Sequence, residues 1–352
     1  MQETKITEGK ATIIVPKTEK VSKKMGVFYN PVMKFNRDIT ISLLKQFPKM
    51  RILDALAATG VRSIRILKET KHRYVVANDI SKDAYKLMKR NFKLNKVKAE
   101  IRNEDANILL RKSKGFDYID LDVFGSPNFM LDSAVARLHR DGILAVTATD
   151  TSALAGSHPK ACLRKYWATP LLNELMHEVG VRILIRKVQL IGAQYERALL
   201  PLLCFYKDHY YRLFLRAEKG LQNVDEMLKQ HNFFWYNPKT LERGIGYKEG
   251  MQIAGPIWTG KIVEDNVFKG MGDLAIRDFM ETIRNENGIG AVGFYDIHKI
   301  CKIYRLQIPK FGVLMEKIRK HGKRASRTHF SPTGIKSDIS LKEIVKIIQS
   351  LS

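Results

Sequence analysis

Acidic residues are few in this chain: 36 Asp plus Glu stand against 61 Lys plus Arg among 352 residues, a formal net charge of +25. Cysteine is rarer. The three present, Cys162, Cys204 and Cys301, lie far apart without a CxxC pair, which argues against a disulfide framework or a cysteine-based zinc site and fits a reducing compartment. Long apolar runs are missing too. Nothing approaches the roughly 18 to 20 residues that span a bilayer, and the opening MQETKITEGK carries charge where a signal peptide has its apolar stretch. A cytoplasmic protein is expected, neither secreted nor membrane-spanning.

What is present describes a globular chain. Hydrophobic residues make up 45% and aromatics 9%, enough to fill a core and too much for intrinsic disorder. The length suggests two domains. The positive surplus attracts polyanions, which points to nucleic acid or an anionic membrane face, with a Lys-rich solubility surface as the plain alternative.

From residue 51 onward, short β-rich apolar runs alternate with amphipathic stretches, the pattern of a parallel sheet with crossover helices. RILD (51–54), YVVAND (74–79), AEIRNEDA, FDYIDLD (116–122) and GILAVTAT (142–149) read as strands. Ser81 stands where a helix N-cap belongs, and a further helix is expected near 129–138. VRILIRKVQLIG and ALLPLLCFYKDHYYRLFLRA read as a closing antiparallel hairpin, which makes the first part a seven-stranded α/β sheet. Beyond Gly220 the texture becomes short, Gly-punctuated and basic, with KIRKHGKRASR near the end. Two domains follow, 1–218 and 219–352.

Chemistry is expected at the carboxyl edge of that sheet, where such folds bind cofactors. DALAATG (54–60) places Asp54 there, followed by a turn with one glycine. That turn has neither the GxGxxG of dinucleotide sites nor the GxxxxGK of phosphate-binding loops, so it suits a cofactor without pyrophosphate, such as S-adenosylmethionine. Asp79 and Asp105 end the next two strands, suited to ribose hydroxyls and an adenine amine, or else to capping the helices that follow. DLDVFGSP (120–127) then sets Asp122, an aromatic ring and a turn at the mouth of the cleft. An exocyclic amine must shed a proton as it attacks, and Asp122 can accept it while Phe124 stacks on the base. The alternative makes Asp122 a turn former and Phe124 core filling. Upstream, GVFYNPVMKFNRD (26–38) offers Phe28 as a second ring, in a segment that could lid the pocket, and Arg37 as a partner for the methionine carboxylate. His139, His158, His177, Tyr210 and Tyr211 read as structural or surface residues.

These motifs carry a resemblance. ITEGKATIIVP, FYNPVMKFNRD, LDALAATGVRSIR, NDISKDAYKLMKRN, DYIDLDVFGSP, VTATDTSALAGSHPKACLRKY, AGPIWTG and SRTHFSPTGIK span both halves, and the chain resembles the tRNA (guanine(26)-N2)-dimethyltransferases of archaeal type. The resemblance implies a Rossmann-like methyltransferase domain and a smaller α+β domain that binds tRNA. It also implies methyl transfer from S-adenosyl-L-methionine to the N2 of a guanine at the junction of the D and anticodon stems. Carried over, Arg37, Asp54, Arg62, Asp79, Asp105 and Ala106 line the cofactor site and Asp122 is catalytic. Phe28 and Phe124 hold the guanine, and Arg327, His329 and Phe330 grip the tRNA. Val123 stands where the motif commonly has proline, and the cysteine pairs of some relatives are lacking, so no metal is expected. A monomer is expected. The rivals are methylation of another guanine N2 or an adenine N6 in RNA or DNA, and a non-catalytic RNA-binding protein.

Overall fold

The computed structural model describes residues 3–17 and 27–351. The N-terminal hairpin, β1 (Glu3–Glu8) and β2 (Ala11–Pro16), is followed by α1 (Lys34–Leu44). The main sheet then alternates strand and helix: β3 (Arg51–Asp54), α2 (Val61–Glu69), β4 (Tyr74–Asn78), α3 (Lys82–Leu94), β5 (Glu100–Arg102), α4 (Ala106–Lys112), β6 (Phe116–Asp122), α5 (Asn128–Ala136) and β7 (Leu138–Ala148). After α6 (Thr151–Leu154), α7 (Pro159–Tyr166) and α8 (Met176–Ala193) come β8 (Arg197–Lys207) and β9 (Tyr210–Lys219). The strand order β5-β4-β3-β6-β7-β9-β8 makes seven strands, parallel through β7. Chain order reverses between β3 and β6, so the crevice for a ligand opens where Asp54 and Asp122 end their strands.

One expectation fails. VRILIRKVQLIG lies inside the 18-residue helix α8, and both strands of the hairpin β8–β9 come from the second apolar run and the residues flanking it, turning at Asp208. The reason is packing: α8 is buried nearly all round, between the main sheet and the second half of the chain. A helix without a polar face loses the 3.6-residue period that separates it from a strand. The count of seven strands stands, with the last two drawn from one run instead of two.

The remainder comprises α9 (Leu221–Lys229), β10 (His231–Tyr236), β11 (Arg243–Ile245), β12 (Gln252–Trp258), α10 (Arg277–Asn287), β13 (Tyr295–Asp296), α11 (Ile297–Tyr304), α12 (Phe311–Lys320), β14 (Ala325–Thr328), β15 (Ser331–Ser337) and α13 (Leu341–Gln349). It holds two three-stranded sheets, β11-β10-β12 and β13-β15-β14. Its apolar core is continuous with that under the main sheet, one buried cluster running from Met33 to Ile348. The lid segment is largely regular: after Phe28, Tyr29 and Asn30 the chain makes a short 3-10 turn at Pro31–Met33, capped by the Asn30 side chain, and enters α1. Gly26 of that segment lies outside the described residues.

Candidate active site

Strands that run parallel with both faces covered leave polar side chains only at their ends, and three carboxylates gather there. Asp54 and Asp122 end β3 and β6, and Asp120, two residues before Asp122 and so on the same face of β6, is wholly buried. Arg62, from the first turn of α2, reaches across to Asp122 and stands 3.3 Å from Asp120. It also donates to Asn36 Oδ1 at 3.1 Å and Thr40 Oγ1 at 2.8 Å. Arg212 of β9, fully buried, donates to Asp120 Oδ2 at 2.7 Å, and the Tyr118 hydroxyl donates to the same oxygen at 2.6 Å. Burial opposes the Asp120 anion, but Arg212 and Arg62 outweigh it and hold its carboxyl below the usual range.

Asp54 behaves differently. Its Oδ2 accepts from the Ser63 hydroxyl at 2.7 Å. Burial, with the charges of Asp120 and Asp122 adding to it, pushes its carboxyl up to about 7 against the pull of Arg62. Three acids thus face two guanidiniums, and Asp122 alone of the three has an appreciably exposed side chain, 22%, at the cleft.

The cleft encloses about 660 Å³, open mouth included, between the 56–62 turn, Asn30, Arg37 and the loop that begins at Asp122. Phe28, Arg37, Asp54, Arg62, Asp122 and Phe124 all line it. Two of them differ from expectation in detail. Arg37 makes a two-pronged pair with buried Glu8, at 2.7 and 2.6 Å, leaving Nη1 without a hydrogen bond among the described residues. Most of its donor capacity therefore serves the N-terminal hairpin. Phe28 and Phe124 meet edge to face, centroids 4.2 Å apart, which leaves no slot for a third ring. With nothing between them, the two apolar rings cover each other.

Asp79, Asp105 and Ala106 stand outside the enclosed cleft. Asp79 accepts from the Ala58 and Ser81 N–H groups, both at 2.9 Å, and so fixes the turn beside the cleft; burial raises its carboxyl. Asp105 is exposed and caps α4, accepting from Asn107 and Ile108 N–H, and Ala106 is buried at the start of that helix. Both caps of Asp105 are made through Oδ1. The apolar side chains of Ile80 and Ile108 stand exposed next to these two acids.

A sequence model described as N2,N2-dimethylguanosine tRNA methyltransferase matches residues 9–349. The chain belongs to that family. It is 38% identical to a tRNA (guanine(26)-N(2))-dimethyltransferase of Pyrococcus abyssi over 99% of this chain and 100% of that one. It is 36% identical to the tRNA (guanine(26)-N(2)/guanine(27)-N(2))-dimethyltransferase of Aquifex aeolicus, over 98% of this chain and 96% of that one. Among solved structures, Trm1 from Pyrococcus horikoshii in complex with S-adenosyl-L-methionine matches with a TM-score of 0.90 and 36% identity, covering 98% and 99% of the two chains.

Within this dimethyltransferase fold, two sequence-predicted RNA contacts need correction. His329 is buried against Glu286 with a side-chain exposure of 1%, and Phe330 is likewise buried, so both are packing residues of the second half. Arg327 is half-buried, its guanidinium 3.9 Å above the Phe311 ring. Tyr210 and Tyr211 are buried, and His177 stacks on Tyr206 with centroids 3.7 Å apart. By letter, GIGAVG (288–293) fits GxGxxG and GPIWTGK (255–261) fits GxxxxGK, but neither joins a strand to a helix in a βαβ unit, so neither is a phosphate cradle. Sequence reasoning missed Arg212, Asp120 and Glu8. An arginine inside the apolar run YYRLFL was the available signal for the first, because a buried cation requires a buried acid. Glu8 carried none, its partners Arg37 and Arg65 being 29 and 57 residues away.

Proposed function

We propose that this chain transfers methyl groups from S-adenosyl-L-methionine to the exocyclic N2 of guanine 26 in tRNA, giving N2-methyl- and then N2,N2-dimethylguanosine. Membership of the family over the whole chain carries the reaction class. The observation that carries the mechanism is Asp122, held by Arg62 and left open to the cleft beside Phe28 and Phe124.

The residues suit the cofactor. Among the described residues the Asp79 carboxylate has only main-chain N–H partners, which leaves its remaining lone pairs for a ribose diol. Arg37 Nη1 is placed for a carboxylate, and Ile80 and Ile108 offer apolar contact to a flat purine. When bound, the cofactor supplies an electrophilic methyl on a positive sulfur. Everything else falls to this chain. Phe28 and Phe124 part to admit the base, whose extrusion costs a few kcal/mol and is offset by about 1–3 kcal/mol of stacking. Asp122 Oδ1 or Oδ2 accepts the N2 proton as the amine attacks, and Arg62 fixes the carboxylate's direction. The leaving thioether is neutral, so orientation and proton removal are the main demands.

The 1–218 part binds the cofactor and the 219–352 part, with Arg327, grips the tRNA. The reading uses residues of one chain and needs no metal, and places the enzyme in the cytoplasm as a monomer. Use of guanine 27 as well has one point in favour, the name of the Aquifex relative. Radiolabelled S-adenosylmethionine offered to transcripts with guanine or adenine at position 26, with position 27 varied independently, tests both. Label in dimethylguanosine from the guanine transcript alone is expected; equal labelling of both would refute the choice of base.

A further inference from the structure

Helix α7 ends on a residue type that helix ends avoid. Trp167 sits at φ 55°, ψ 38°, the left-handed region, where its N–H bonds to the Leu163 carbonyl at 3.1 Å. Glycine makes that turn without strain, whereas a bulky side chain does not. Helix termination alone gives a tryptophan there no rationale, and the residue is 45% exposed.

The ring is also held. Lys187 of α8, buried, places Nζ 2.9 Å from the ring centroid, and Arg186 Nη1 donates to the Trp167 carbonyl at 3.1 Å. One face of the indole therefore rests on a fixed cation and the ring cannot fold into the core. Its surroundings place it at a seam. On one side, Asn128, which follows the catalytic loop, donates to the Lys165 carbonyl at 2.6 Å, and the Tyr166 hydroxyl donates to Asp150 at 3.1 Å. On the other, Thr169 pairs with Gly255 of β12 through two main-chain bonds of 2.9 and 2.8 Å, and Gly255 adjoins Phe233, itself exposed. A group lying on Trp167 would touch both halves of the molecule next to the catalytic loop.

We infer that Trp167 is a preset stacking platform for a nucleobase of the tRNA substrate, at the junction of the two halves. The inference rests on the proposed tRNA reaction. A single RNA occupant is favoured over a protein because α7, which ends at the tryptophan, carries Lys160 and Arg164, both exposed, beside Lys165, which pairs with Asp150, a positive balance suited to phosphates in a chain of net charge +25. Stacking accepts the face of any base, so the contact strengthens binding and orientation without reading sequence.

Trp167→Gly separates this role from a structural one because glycine relieves the strained backbone. The variant is expected to melt no lower than wild type and to bind S-adenosylmethionine unchanged. It should raise both Kd and KM for tRNA about tenfold, the loss of one stacked base. Trp167→Asn, also tolerant of the left-handed region, repeats the test if the glycine variant folds poorly. Trp167→Phe keeps a ring and should restore most of the affinity. Unchanged tRNA affinity in the glycine or asparagine variant overturns the platform. If wild type binds tRNA but transfers no methyl, the reaction fails while the binding comparison still decides the platform; if wild type binds no tRNA, both fall.

Discussion

At the end of β6, three carboxylates meet two guanidiniums; on α8, a single carboxylate, Glu178, meets Arg182 and Lys336, each at 3.0 Å. Both clusters are buried, and they carry opposite surpluses. All three side chains of the second are almost wholly buried. Burial alone would raise Glu178, but Lys336 and Arg182, with the Gly293 N–H, hold its carboxyl at about 2. The spare donors of Arg182 are taken by the Trp258 and Gly260 carbonyls at 3.0 and 2.9 Å. Main-chain oxygens can absorb a surplus cation because every residue carries one. A surplus acid has no such reserve, since parallel strands have committed their N–H groups to the ladder. The first cluster therefore meets its excess in two other ways: Asp54 is pushed toward the neutral form, and Asp122 is left at the mouth of the cleft. The cluster that ties the halves together gathers its donors on Glu178 Oε1, while the cluster at the sheet edge leaves Asp122 facing the cleft.

The largest expected effect breaks the comparison at the open end. Asp122→Asn keeps the shape, and Arg62 keeps Asp120 as a partner, so folding should change by no more than about 1 kcal/mol. Methyl transfer should fall about 10²- to 10⁴-fold through loss of the proton acceptor. Single-turnover transfer, measured beside equilibrium binding of tRNA and cofactor, checks this; near-normal transfer would remove Asp122 from the mechanism.

Next comes the cost of leaving a buried charge alone. Arg212→Met strips Asp120 of its closest cation and should destabilise by about 3–5 kcal/mol in urea unfolding. Lys336→Met, in the cluster with a cation to spare, leaves Glu178 with Arg182 and Gly293 and should cost only about 1–3 kcal/mol. Equal costs would mean that the two surpluses make no difference.

The sequence was most readable where this contrast is simplest. β3, β4 and β6 are short runs that stop at an acid or its neighbour, because a strand buried on both faces can carry a polar group without a buried partner only where it leaves the sheet. Asp54 and Asp122, with Phe124 just beyond, were placed at one cleft for that reason, Phe28 through the segment that could lid it, and Arg62 only through the resemblance. What stayed hidden depends on contacts distant in sequence. Arg212 reaches Asp120 from 92 residues away, and Glu8 meets Arg37 from a hairpin that no periodicity announces. α8 was misread because burial on all sides erases the amphipathic signature, and His329 and Phe330 because a motif shows that residues matter without showing whether they face RNA or core.

The smallest effect sharpens the account of the surplus. Asp54 has a folded pKa near 7 against an ordinary value of 3.8, so between those limits the native state holds a proton that the unfolded chain has released. Stability should fall as pH rises through that window, by at most about 1.4 kcal/mol per pH unit, and level off above it. Asp54→Asn carries no titrating group and can still accept from Ser63, so its stability relative to wild type should improve steadily from pH 4 to pH 7. Urea midpoints of the two proteins across that range provide the measurement. Parallel curves would show that Asp54 is ionised throughout, and the positive surplus of the closed cluster would then have no negative counterpart relieved by protonation at the open one.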